Sequence, residues 1–370
     1  MRYFLSSGEA SGELAATLLA QAISRVDAQA QFEGIGAARM REHGISLWRD
    51  HSGWASIGPL AAIPRIPKLL AVMAATARHI ERVRPDLLIL VDFGAFNLRL
   101  AQRLRASGYR GPILDVFPPG TWLDDEKTAR RVARLVTPLT AFAHQRDFYE
   151  SLGLPIAYFG HPLAPRYAMR APRPAPPRDA GVVALLPGSR GSELRYHVPR
   201  LLRALALLRR KRPRLRAVAG AADENAAQRT RMLSARMGSD DLQIVRGTAE
   251  AIRDADAAWV ASGTAVLECA LSGVPAVALY VVSPLLAPHA RRVYRGAFIT
   301  LPNLVLGRAV IPELLQAAAT PARLADAMDA VLRDPQAQYA QFAELREALG
   351  PPDALERCAA FAVELANGSA

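Results

Sequence analysis

Short apolar runs alternate along the chain with longer stretches whose apolar residues return every three or four positions. This is the pattern of βαβ units building a parallel sheet. In the first half it predicts strands at Tyr3–Ser6, Phe32–Ile35, Leu87–Val91, Ile113–Phe117, Leu139–Ala143 and Ile156–Phe159, with helices such as Leu14–Arg25, Pro67–Arg84 and Asn97–Ser107 between them. The alternation stops at 166–179, where Ala171-Pro172-Arg173-Pro174-Ala175-Pro176-Pro177-Arg178 can form neither a helix nor a central strand. It resumes with strands expected at Val182–Leu186, Leu215–Ala219, Leu242–Val245, Ala257–Ala261 and Ala276–Val282.

The pattern therefore predicts a Rossmann-like domain over 1–165, a Pro/Arg-rich linker over 166–179 and a second Rossmann-like domain over 180–319. A helical tail follows over 320–370, broken at Gly350-Pro351-Pro352 and free to pack back on the first domain. The length of 370 residues suits two cores better than one. Two such domains facing a central cleft make the GT-B form of the α/β class, with ligands held at the carboxyl ends of the strands.

Composition narrows the partners. Hydrophobic residues are 51% and charged residues 22%, which fits a globular chain. The net charge of +12 predicts attraction to anions, and the sequence lacks the aromatic-basic interleaving that would point to nucleic acid. Cys269 and Cys358 lie in apolar helical segments and are expected to be buried thiols, too few for a disulfide framework or a zinc site. The stretch after Met1 reaches Gly8 too soon for a signal peptide, so a cytoplasmic location is expected. The uncharged segment Cys269 to Ala290 is interrupted by Gly273, Pro275, Pro284 and Pro288 and predicts a buried strand, not a membrane span.

Four strand ends carry candidate chemistry. Pro187-Gly188-Ser189-Arg190-Gly191-Ser192-Glu193 follows a strand and opens a helix: backbone N–H groups near Gly188 and Ser189 and the forked cation of Arg190 suit a phosphate. Ser262-Gly263-Thr264 repeats that arrangement, with Glu268 one helical turn on, placed to accept from ribose hydroxyls. A plain capped helix with a structural glutamate fits the same letters. At the amino end, Gly8, Ser11 and Gly12 lie in a turn that a substrate could approach; it is not the dinucleotide fingerprint, so no nicotinamide cofactor is expected. Asp92 ends an apolar strand, where it could take a proton from a hydroxyl nucleophile or cap the next helix. Asp254-Ala255-Asp256 spells a metal-binding pair but sits at the wrong end of its strand, and neither metal nor cofactor is expected.

Taken together, Gly8-Glu9-Ala10-Ser11-Gly12, Asp92 with Phe96-Asn97, Gly160-His161-Pro162, Leu185 through Glu193, Ser262-Gly263-Thr264-Ala265 through Glu268, and Leu301-Pro302-Asn303 occur in the order seen in lipid-A-disaccharide synthases. The chain resembles that family from position 3 to about 315. The resemblance implies an inverting, metal-independent glycosyltransferase that moves 2,3-diacylglucosamine from a UDP-diacylglucosamine donor to an acylated glucosamine phosphate acceptor. It implies Asp92 as general base, Arg190 and Ser262 to Thr264 as diphosphate contacts, Glu268 as ribose ligand, and Asn303 near the donor. His161 reads either as a cleft residue or as a turn element.

The chain departs from the family at Phe117-Pro118-Pro119-Gly120-Thr121-Trp122-Leu123-Asp124-Asp125, which keeps only Trp122 of two tryptophans, at Ala95 and Glu13 in place of aspartates, and at Val281 where a basic residue is common. Other readings of the same pattern are a related enzyme with a different lipid acceptor, or a soluble UDP-sugar epimerase or hydrolase.

Two segments suggest a surface for anionic lipid on the inner face of a membrane. Trp54, Ile57, Leu60, Ile63, Ile66 and Leu69 recur at intervals of three beside Arg65 and Lys68. The run Arg200 to Arg216 carries eight Arg or Lys and no acid, and reads either as a lipid-facing surface or as a solvated helix face. The pattern also allows a homodimer.

Overall fold

The computed structural model describes residues 1–8, 10–51, 66–119, 125–167, 169–239, 241–284, 287–288 and 297–368. The chain divides into two compact units, Met1–Arg166 with Leu349–Ala370, and Tyr167–Ala348.

In the first unit, β1 (Arg2–Ser6), α1 (Ala10–Val26), β2 (Gln31–Gly36), α2 (Ala38–Glu42), β3 (Ser46–Asp50), α3 (Ile66–Val83), β4 (Leu87–Val91), α4 (Gly94–Ala106), β5 (Ile113–Val116), α5 (Glu126–Leu135), β6 (Thr137–Thr140), α6 (Ala143–Ser151) and β7 (Ala157–Tyr158) follow one another. Their strands form a parallel sheet in the order β3-β2-β1-β4-β5-β6-β7. All five residues of β4 are buried, the result of an unbroken Leu-Leu-Ile-Leu-Val run covered on both faces. Phe4, Leu88, Leu90 and Ile113 meet Met73, Ile80, Phe96, Leu100, Leu104 and Val132 from the helices in one core.

The second unit contains β8 (Ala180–Leu186), α7 (Gly191–Lys211), β9 (Arg214–Ala221), α8 (Glu224–Ala235), β10 (Gln243–Arg246), α9 (Thr248–Ile252), β11 (Ala257–Ala261), α10 (Thr264–Leu271), β12 (Ala276–Tyr280), α11 (Leu301–Leu306), β13 (Glu313–Leu315), α12 (Pro321–Arg333) and α13 (Gln336–Ala348). Its parallel sheet has the order β10-β9-β8-β11-β12-β13. The two units are thus two Rossmann-like domains. Strand order reverses between β1 and β4 in one and between β8 and β11 in the other, the switch points at whose carboxyl ends such sheets open a crevice.

Several expectations are corrected. The edge strands β3 and β13 went unpredicted: Ser-Leu-Trp-Arg-Asp is largely polar and Glu-Leu-Leu is three residues long. Strand β6 starts at Thr137 and takes in Pro138, which reads as a break in sequence. The tail is not one body: α12 and α13 belong to the second unit, and the chain returns to the first only at Leu349. There α14 (Ala354–Ala366) packs along α1.

The linker is pinned to the second unit. Arg170 Nε donates to Gly273 O at 3.0 Å, and Arg212 Nη1 donates to Pro177 O and Ala180 O, each at 3.2 Å. Four of the eight cations of the basic run are paired: Arg209 with Asp241, Lys211 with Asp326, Arg212 with Asp329 and Arg214 with Asp179. It therefore offers less positive surface than its letters suggest. Cys269 and Cys358 are both buried, and burial pushes their thiols up, that of Cys358 to about 12. Among the described residues no helix is long and apolar enough to cross a membrane.

Candidate active site

The sequence motifs fall on the two switch points. In the first unit β1 delivers Ser6, Ser7 and Gly8, and β4 delivers Asp92. Asp92 and Phe93 both take left-handed backbone, with φ of 53° and 51°, so the chain turns sharply where the strand ends. The Asp92 carboxylate accepts from the Phe93 N–H at 2.8 Å through Oδ1 and from the Ser11 hydroxyl at 3.3 Å through Oδ2. Ser11 and Gly12 stand in the first turn of α1, whose dipole favours a negative charge there. A Cβ on Gly12 would lie 3.1 Å from Val91 O and 3.3 Å from Asp92 Cβ, so glycine is what lets α1 approach Asp92 this closely. Gly8 likewise leaves room for the Phe93 ring.

Capping is not the role of Asp92. The N-cap of α4 is Phe93, which makes no side-chain cap. Glu13 has a structural task instead: its Oε1 accepts from the Ala37 and Met40 amides at 3.0 and 3.1 Å, closing the start of α2.

His161 is buried within the first unit. It is 3% exposed, between the rings of Phe117 and Phe142 beyond the ends of β5 and β6. Its Nδ1 accepts from the Leu163 amide at 3.2 Å, and burial lowers its pKa to about 4, so the ring is a neutral turn element. One strand from Asp92, the β5 residue Asp115 is 1% exposed. Among the described residues its Oδ2 has no hydrogen-bond partner, and neither has the buried hydroxyl of Tyr149. Burial, then the charge of Asp92, raises the Asp115 carboxyl well above its usual range. Nothing in the sequence marked it, because an aspartate in an apolar strand reads as a solvent-facing position.

In the second unit Gly188 (φ 105°) turns the chain out of β8, and a Cβ there would collide with Glu193. That carboxylate accepts from the Ser189 and Arg190 amides at 3.0 and 3.1 Å through Oε2. The Ser189 amide, one of those expected to meet a phosphate, is thus taken with the Arg190 amide by the helix's own glutamate, which caps α7. The turn also offers an anion the Arg190 side chain, 37% exposed and 3.4 Å from Glu193 Oε1. A second guanidinium, that of Arg229 on α8, lies against Gly191. Sequence separation hid it.

His197 locks this turn. Its Nδ1 donates to Pro187 O at 2.7 Å and its Nε2 accepts from the Val281 amide at 3.0 Å, a pair of bonds that needs the neutral ring. Burial lowers its pKa and keeps it so.

At the end of β11, Ser262 donates to Ile299 O at 3.1 Å, which brings Ser262-Gly263-Thr264 beside the start of α11. Glu268 is half-buried on α10, one turn beyond Thr264. Asn303 is wholly committed: Nδ2 donates to Ile311 O and Glu313 Oε1 at 2.9 and 2.8 Å, and Oδ1 accepts from the Val310 and Ile311 amides at 2.8 Å. Glu313 in turn accepts from Thr300 Oγ1 and the Thr300 amide. Asn303 therefore braces the loop after α11, and contact with a donor would require breaking those bonds. Asp256 is also structural, accepting from the Val182 amide at 2.8 Å.

Trp122 and the residues Trp54, Ile57, Leu60, Ile63 and Arg65 lie outside the described residues, as do the side chains of Ile66 and Lys68. Leu69 packs against the first unit's core and Met73 is inside it, so from there the apolar stripe faces inward; Leu70, at 53% exposure, faces out.

The family model described as lipid-A-disaccharide synthetase matches residues 3–351. A lipid-A-disaccharide synthase from Myxococcus xanthus is 36% identical over 377 residues, covering 98% of this chain and 97% of the relative. Among solved structures, UDP-GlcNAc 2-epimerase from Neisseria meningitidis bound to UDP-GlcNAc aligns with a TM-score of 0.66 at 10% identity, over 98% of this chain and 100% of the other. MurG from Acinetobacter baumannii aligns at 0.57 and 15%, over 98% and 99%. At such identities these two likenesses concern the fold alone.

Proposed function

The chain belongs to the lipid-A-disaccharide synthetase family, and on that premise we propose that it moves 2,3-diacylglucosamine from UDP to the 6-hydroxyl of 2,3-diacylglucosamine 1-phosphate, with inversion and without a metal ion. It is a glycosyltransferase of GT-B type, acting in lipid A disaccharide synthesis on a nucleotide-sugar donor and a glucosamine phosphate acceptor. The observation that carries the mechanism is the carboxylate of Asp92, presented at a switch point by a left-handed turn.

Asp92 takes the proton of the acceptor hydroxyl as its oxygen bonds to the anomeric carbon. The bond from that carbon to the phosphate oxygen breaks, and its electron pair leaves with UDP. Negative charge grows on the diphosphate, where the guanidinium groups of Arg190 and Arg229 and the amino end of α10 supply fixed positive charge. These groups support a reaction that needs no cation. Glu268 is the ribose ligand in this reading.

The direct test is purified protein with UDP-diacylglucosamine and mono- or diacylated acceptors, read by mass spectrometry. Disaccharide with release of UDP supports the proposal. Turnover of UDP-N-acetylglucosamine without a lipid acceptor would favour an epimerase or hydrolase, a reading to which the distant epimerase likeness lends only the fold. Arg190→Ala is expected to weaken UDP binding by about 1.5–3 kcal/mol, the worth of a charged hydrogen bond. Unchanged affinity by calorimetry in the folded variant would remove Arg190 from the site.

We place the enzyme on the cytoplasmic face of the inner membrane, held at anionic lipid by its +12 charge and by apolar residues before and at the start of α3. Sedimentation with anionic vesicles should be salt-sensitive and weakened by Leu70→Asp. A folded variant that sediments like its parent would move the docking surface elsewhere. The mass of the same preparation in solution tests the homodimer.

A further inference from the structure

Two consecutive non-glycine residues in left-handed backbone are uncommon, and they persist only where the surroundings fix them. Asp92 and Phe93 are such a pair. The Asp92 amide donates to Val116 O at 3.0 Å, and the Phe93 carbonyl receives the amides of Phe96 and Asn97 at 2.9 and 3.1 Å. The remaining group of the turn, the Asp92 carbonyl, is held by a side chain: Asn97 Nδ2 donates to it at 2.8 Å.

Asn97 is fully buried. Its Nδ2 also donates to Ser6 O at 3.1 Å, and its Oδ1 accepts from the Ser6 hydroxyl at 2.7 Å. Two carbonyls that need donors dictate which way the amide points, and Ser6 occupies the other end. One amide therefore joins the ends of β1 and β4 at the switch point and clamps the peptide that aims the carboxylate toward Ser11.

We propose that Asn97, oriented by Ser6, is a positioning residue for the base, an inference that rests on reading Asp92 as that base. Without the clamp the left-handed turn relaxes and the carboxylate leaves its line to the acceptor hydroxyl. Misplacement of a reacting group by about 1 Å costs up to about 100-fold in rate.

The test is a cycle of four proteins: parent, Asn97→Ala, Asp92→Asn and the double variant, with Ser6→Ala as a milder probe in both backgrounds. Asn97→Ala should lower kcat by about 10- to 100-fold, with acceptor KM and UDP affinity unchanged. Ser6→Ala should do the same to a smaller extent. In the Asp92→Asn background neither change should lower the rate further, because the residue they serve is already disabled.

A loss that repeats undiminished in the Asp92→Asn background would show that Asn97 supports the fold and not the base, and would overturn the proposal. Parental kcat in folded Asn97→Ala and Ser6→Ala would do the same. If Asn97→Ala does not fold, the Ser6→Ala pair decides the question alone. Parental turnover in Asp92→Asn would reject the base itself and this inference with it, a result separate from failure of the clamp.

Discussion

Asp92→Asn is expected to slow sugar transfer by about 10²- to 10⁴-fold, the usual worth of a general base. Asparagine keeps the shape: its Oδ1 can still accept from the Phe93 amide while its Nδ2 donates to the Ser11 oxygen, so the turn is conserved and the basicity is lost. A capping role would predict nearly full activity, since asparagine caps as well as aspartate. The structure removes that alternative, because Phe93 is the N-cap of α4 and no side chain caps it. UDP affinity should be unchanged, as the proposed diphosphate contacts belong to the second unit. The measurement is transfer rate and UDP affinity on one preparation with a normal melting temperature. Near-parental turnover there would reject Asp92 as the base.

The largest effect on stability is expected from Arg212→Ala. The guanidinium is 1% exposed and donates from Nε to Asp329 Oδ1 at 2.7 Å, while Nη1 serves the carbonyls of Pro177 and Ala180. It fastens the incoming chain to the end of α7 and to α12. Its loss strands a buried carboxylate oxygen, for about 3–5 kcal/mol, with Arg333, still paired to Asp329 Oδ2, and the Ala180 amide, still donating to Pro177 O, keeping the cost toward the lower figure.

Burial alone would raise the Asp329 carboxyl, but Arg212 and Arg333 hold it below the ordinary 3.8. A carboxyl lowered in the folded state contributes stability that is complete above its unfolded pKa and is lost as pH falls through the folded one. The gap between parent and variant should therefore be full at neutral pH and shrink below about pH 4. Thermal melts at both pH values measure it. An unchanged melt at neutral pH would show that the pair contributes nothing to the fold.

The class of fold and the strand ends that carry candidate chemistry are legible in the order of the residues. Runs such as Leu87 to Val91 are readable because a strand covered on both faces must be apolar throughout, and Gly188 or Gly12 because only glycine permits the turn or the close approach there. Edge strands such as Ser46–Asp50 escape that logic, having one side open and no need of an apolar run.

Which polar groups are already bonded depends on long-range packing. The Asn303 side chain is bonded to Glu313 and the loop after it, the Ser189 and Arg190 amides went to Glu193, and Arg209, Lys211, Arg212 and Arg214 were paired with acids far away in the chain. Conversely His197, Arg229 and the buried Asp115 acquired importance from neighbours that no local pattern names. Periodicity records which way a side chain faces. Hydrogen bonding and the desolvation that sets charge depend on what long-range packing puts opposite it, and that exists only once the two sheets have formed.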